Sequence, residues 1–215
     1  GRQGMLTRLK SSFEPVFERS EVFAYVRPPV SFTSSACQEM MKMRPGFYTP
    51  WPRYERRFAP LRHVFGKDNV HLRVYARERL KNGDVVSDFQ YWMGWLQKPA
   101  KGTHPNHGLS APGAALIHCY QNHRPLAKSV QEHQEKLQNV AYLTEIKGPR
   151  FVLSPDIVAP ILDEHKDDLA WIEQTMGEPI NDLHKGVPED SFPIAGADDL
   201  KRNAARFAPM LTGHA

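Results

Sequence analysis

Arg27 closes the apolar run EVFAYV at residues 21–26, and Pro28 and Pro29 follow it directly. The hydroxyls of Ser31, Thr33, Ser34 and Ser35 come next. A guanidinium fork, hydroxyls and the free N–H groups at the start of a helix together suit a phosphate or another compact anion. Taken alone, the pattern equally fits an arginine paired with a carboxylate.

Two kinds of element must position these groups. Six uninterrupted β-rich residues suit a buried parallel strand, and the prolines end it and lead into a helix. Ser31 reads as the N-cap of a helix running to about Met43. Ligands in open α/β sheets bind beyond the carboxyl ends of strands, where this strand delivers Arg27. A second strand is expected over 70–75, and helices over 5–19 (bent at Pro15), 53–65, 111–122, 126–146 and 155–176. Asp84 caps a helix to about Leu96, and 198–211 reads as a short terminal helix. Residues 97–108 and 178–197 read as loops. This order is α/β, as one domain over 1–215 with a core at 5–96 and a helical C-terminal part at 108–211. Two strands do not make a stable doubly covered sheet, so further strands must complete it.

Composition bounds the function. Of 215 residues, 40% are apolar and 24% charged, the balance of a globular protein. No apolar stretch is long enough for a membrane span, and the N-terminus lacks a secretory pattern, so the expectation is cytoplasmic. The net charge of +4 suits an anionic ligand and does not single out nucleic acid, which is not expected as a partner. Cys37 and Cys119 both read as small buried hydrophobes.

The segment FAYVRPPVSFTSSACQE resembles the 3′-phosphate-binding strand-loop-helix of sulfotransferases, bacterial type, that use 3′-phosphoadenosine 5′-phosphosulfate (PAPS). In that motif an arginine ends the strand and a serine follows eight residues later. Those positions are Arg27 and Ser35 here, with Ser34 adjacent. The segment PRYERRFAPLRHVFGKDNVHLRVYARERLKNGDVVSDF resembles a later stretch of the same family, in which a tyrosine at the position of Tyr75 lies near the adenine; a core or edge aromatic is the equal alternative for Tyr75. PNHGLSAPGAALI and FVLSPDIVAPILDEHKDDLAWIEQTMGEP resemble further segments of bacterial members. The likeness runs over roughly 10–180 and implies a P-loop-NTPase-like fold, PAPS as donor, no metal, and a hydroxyl acceptor that is a glycan or small molecule. Family members also carry a strand and a Lys-x-Gly-Thr-like loop for the 5′-phosphosulfate, and none occurs in these 215 residues. The expectation is therefore an N-terminally incomplete domain. The alternative is a degenerate relative that binds a nucleotide or a protein without catalysis.

Other groups are weaker candidates. Arg44, Trp51 and Tyr54 in the loop RPGFYTPWPRY could contact a sugar or an anionic acceptor, or simply pack. His63, His71, His104, His107, His118, His123 and His133 lack carboxylate or cysteine companions at ligand spacing, so metal binding is not expected. Tyr91, Trp92 and Trp95 read as a buried helix face. The charged face of helix 126–146, with Lys128, Glu132, Glu135 and Lys136, reads as solvated; a homodimer or partner surface is the alternative.

Overall fold

A computed structural model describes residues 1–95, 108–123 and 129–211. The chain is α/β and helix-rich, with short parallel sheets. Along the sequence come α1 (Arg2–Phe13), β1 (Val22–Val26), α2 (Pro29–Met43), α3 (Tyr54–Phe65), β2 (Val70–Val74) and α4 (Val85–Trp92). Then follow α5 (Ala111–His123), α6 (Val130–Thr144), β3 (Arg150–Leu153), α7 (Pro155–Glu164), α8 (Lys166–Met176), β4 (Ser191–Ile194) and α9 (Ala197–Phe207).

These elements form two compact units that interleave along the chain. The first comprises the described residues of Gly1–Pro29, Pro52–Pro105 and His165–Asn181. The second comprises those of Val30–Trp51, Asn106–Glu164 and Asp182–Ala215.

In the first unit β1 and β2 pair in parallel, with Val22 opposite Val70, Tyr25 opposite Arg73 and Val26 opposite Val74. The Tyr75 N–H donates to the carbonyl of Val26, the last residue of β1, at 2.8 Å and carries the ladder one residue past β2. Side chains alternate across a strand, and contacts separate the two faces. Phe23, Tyr25 and Arg27 share one face with His71, Arg73 and Tyr75, and α4 packs there through Asp88, Phe89 and Trp92. Asp84 caps α4 as expected, accepting the Ser87 N–H at 2.8 Å. That bond holds its carboxyl below the usual carboxylate range.

In the second unit β3 and β4 form another parallel pair, with Phe151 opposite Phe192 and Leu153 opposite Ile194. Phe151, Leu153 and Ile194 are buried, and α5 packs against both strands. Neither strand was expected. The four-residue run RFVL precedes a strong helix signal, and Pro193 inside SFPI argues against a strand. Pro193 is exposed in this short pair.

Several boundaries differ from expectation. Helix α1 stops at Phe13, ahead of Pro15, and its apolar residues Met5, Leu9 and Phe13 remain exposed. Helix α4 ends at Trp92 rather than near Leu96. The stripe over 155–176 is two helices, α7 and α8, parted at His165, where φ is −112° and ψ is 22°. The units divide at the same residue. Cys37 is buried, which pushes its thiol up to about 12, whereas Cys119 is half-exposed rather than buried. Tyr91 and Trp95 are 64% and 56% exposed, so the aromatic cluster is not a buried helix face. Phe89 and Trp92 are the aromatics of α4 that turn to the sheet.

Candidate functional site

The chemistry of the first unit gathers at the carboxyl ends of β1 and β2. Arg27 is half-buried one residue beyond β1. Its guanidinium carbon lies 5.9 Å from the centroid of the Tyr75 ring, within cation–π range. Tyr75 itself is exposed one residue beyond β2. The backbone of Arg27 is fixed from inside: the Tyr54 hydroxyl on α3 donates to its carbonyl at 2.7 Å. Tyr54 is 1% exposed, so the phenol points into the core at Arg27 and not toward an acceptor. Helix α3 is set in turn by Asp168 of α8, whose carboxylate accepts the N–H groups of Tyr54 and Glu55, each at 2.8 Å.

Beneath this pair lies a charged group that sequence reasoning missed. Asp88 of α4 is buried, accepts the Tyr25 hydroxyl at 2.6 Å and lies 3.3 Å from Nη1 of Arg73. Burial, and then the hydrogen bond to Asp88, raise the Tyr25 hydroxyl well above the ordinary tyrosine range. Reading 21–27 with period two, instead of as a continuous apolar run, and setting it beside 70–75 would have placed Tyr25, Arg27, Arg73 and Tyr75 on one face. An open apolar recess of about 420 Å³, lined in part by Leu9, Phe13, Phe17 and Phe65, meets β1 at Val22 and Phe23. That is the opposite end of the strand from Arg27.

Ser34 and Ser35 belong to the second unit, on α2. The Ser34 hydroxyl accepts the Leu153 N–H at 3.3 Å, and Ser35 is half-buried. Two expectations for α2 change. The helix starts at Pro29 rather than after a Ser31 cap. Its leading amides are also occupied: Asp182 accepts the Val30 N–H at 2.8 Å and the Ser31 N–H at 3.0 Å. A carboxylate from 152 and 151 residues away therefore fills the position expected to offer free N–H groups to an anion. Trp51 is buried in the same unit, and Arg44 stacks over Tyr48 at 4.0 Å.

The structure thus brings Arg27, Tyr75 and Tyr54 together in one unit and places Ser34, Ser35, Arg44 and Trp51 in the other. Among the histidines, His71 stacks on Phe23 and contacts Glu21, and His63, His123 and His133 are exposed. His118 is buried on α5, and His104 and His107 lie outside the described residues. Among the described residues no three His, Cys, Asp or Glu side chains group as metal ligands, and no helix is long and apolar enough to cross a membrane. Comparison with family models, characterised proteins and solved structures finds no match to this chain.

Proposed function

We propose that this chain binds the 3′-phosphate of PAPS at Arg27 and serves a sulfotransferase that moves the sulfuryl group to a hydroxyl of a glycan or small molecule. One observation carries the reading. Arg27 stands at the carboxyl end of a parallel strand, backed by the Tyr75 ring and held through its own carbonyl by a buried phenol. With the backbone of Arg27 fixed and its guanidinium backed by a ring, less freedom is lost when it grips a phosphate, and its fork matches the phosphate oxygens. The exposed ring of Tyr75 offers a stacking surface beside it for a purine. The resemblance of FAYVRPPVSFTSSACQE to the donor-binding motif supplies the rest of the argument, including a P-loop-NTPase-like scaffold.

Sulfuryl transfer makes the same demands as phosphoryl transfer: in-line placement and stabilisation of charge on the leaving diphosphate. Arg27 would anchor the donor away from the reacting sulfur, so its removal acts on donor affinity. A second reading, a nucleotide-binding or protein-interaction module without catalysis, draws support from Asp182. Its carboxylate already holds the Val30 and Ser31 amides that a phosphate cradle at α2 would use.

Calorimetry with 3′,5′-adenosine diphosphate is the test. The wild-type chain is expected to bind it and Arg27→Ala to lose most of that affinity. Equal affinity in the two proteins sinks the assignment.

A further inference from the structure

The donor reading uses Arg27 and Tyr75 and leaves the charged group beneath them without a role. Asp88 is 0% exposed. Three groups converge on its carboxylate. The Tyr25 hydroxyl donates to Oδ2 at 2.6 Å, the Lys81 N–H donates to Oδ1 at 2.8 Å, and Arg73 Nη1 lies 3.3 Å from Oδ2. Burying a carboxylate is costly unless it is both paired and hydrogen-bonded, and this one is both. Arg73, its counter-charge, also rests over the Trp92 ring with 5.6 Å to the centroid.

A chain of contacts runs outward from this carboxylate. The Tyr25 ring, pinned at its hydroxyl, meets the Tyr75 ring edge-on at 6.1 Å and 82°. Edge-to-face packing at this distance favours one ring orientation over others. The Tyr75 ring then backs the Arg27 guanidinium. The bond from the Lys81 N–H ties down the chain shortly after Tyr75, beyond the turn Arg77–Arg79.

The geometry points to Asp88 as a positioning residue for the anion site at the strand ends, acting through Tyr25 and Tyr75 on Arg27; this rests on the reading of Arg27 as a donor-phosphate ligand. The sign of the effect separates positioning from plain charge. Neutralising Asp88 removes a negative charge near the site and strips Arg73 of its counter-ion. Coulomb attraction alone then strengthens anion binding. Loss of positioning weakens it.

The experiment compares the wild-type 215-residue chain with Asp88→Asn, Tyr25→Phe and the double variant, each titrated calorimetrically with 3′,5′-adenosine diphosphate. Each single variant is expected to bind about tenfold more weakly, and the double variant within about twofold of Asp88→Asn, as coupled residues in one network behave. Equal or tighter binding by Asp88→Asn overturns the proposal, and so do fully additive losses. Tyr25→Phe keeps the ring and the Asp88–Arg73 pair, so it decides the matter if Asp88→Asn does not fold; unchanged affinity there also overturns the proposal. If the wild-type chain binds no nucleotide, the donor reading itself has failed. An intact site paired with an indifferent Asp88 is thus distinct from an absent site.

Discussion

The two parallel strand pairs have the same topology and opposite characters. In the second unit, β3 and β4 turn Phe151, Leu153 and Ile194 into a core closed by α5. In the first, β1 and β2 are half-buried over most of their length and carry Tyr25, Arg27, Arg73 and Tyr75 at their carboxyl ends. The first pair holds its charges in place through a buried aspartate, a buried phenol and packed rings; the second turns buried apolar side chains into its core, and its Leu153 N–H donates to the Ser34 hydroxyl. Strand pairing alone therefore does not mark a site. What sets the first pair apart is a strand end whose polar groups are braced from below.

This contrast can be broken by substitution. Phe151→Ala should cost about 3–5 kcal/mol of stability, the range for truncating a fully buried aromatic, as read by urea unfolding. Phe23→Ala, at a half-buried position of β1, should cost less than about half of that. Equal losses would erase the distinction between the pairs. Arg27→Ala comes next, with about 2–4 kcal/mol lost from nucleotide affinity in calorimetry. Its stability should change by less than about 1 kcal/mol. The remote caps come third: Asp182→Ala and Asp168→Ala should each cost about 1–2 kcal/mol in thermal or urea unfolding.

The smallest effect is a pH dependence confined to the second unit. His118 is buried on α5, its Nδ1 has no hydrogen-bond partner among the described residues, and burial, followed by Lys201 and His123, lowers its pKa from the ordinary 6.5. The unfolded chain then takes up a proton at a pH where the folded chain does not. Stability is therefore undiminished above about 6.5 and falls as the pH drops below it. His118→Leu should flatten that slope when melts at pH 7.5 and 5.5 are compared, and an unchanged slope would assign it to other groups.

Local signals in the sequence were legible, and distant ones were not. An apolar run stopped by Arg27 and two prolines gave β1, and Asp84 before Val85 and Val86 gave the start of α4. The break at His165 was hidden because Ile161, Leu162, Leu169 and Ile172 keep one helical stripe across it, with no glycine or proline at the junction. The start of α2 was misplaced for a different reason. Ser31 is a good cap by type, but the group that caps the helix is Asp182, which no local pattern announces. At the site, Arg27 was legible from its place at a strand end and Tyr75 from resemblance, whereas Asp88 was overlooked because it lies on the inner face of α4, among residues that read as an ordinary amphipathic helix.

The distance spanned by those caps bears on how the chain matures. Tyr54 and Glu55 wait for a carboxylate 114 and 113 positions downstream, and Val30 for one 152 positions downstream. During synthesis at about 5–20 residues per second, the amino ends of both helices remain open for many seconds before their partners emerge. Until then water must satisfy them, and late-arriving aspartates, more than early hydrophobic turns, set the moment at which these two helices become fully anchored.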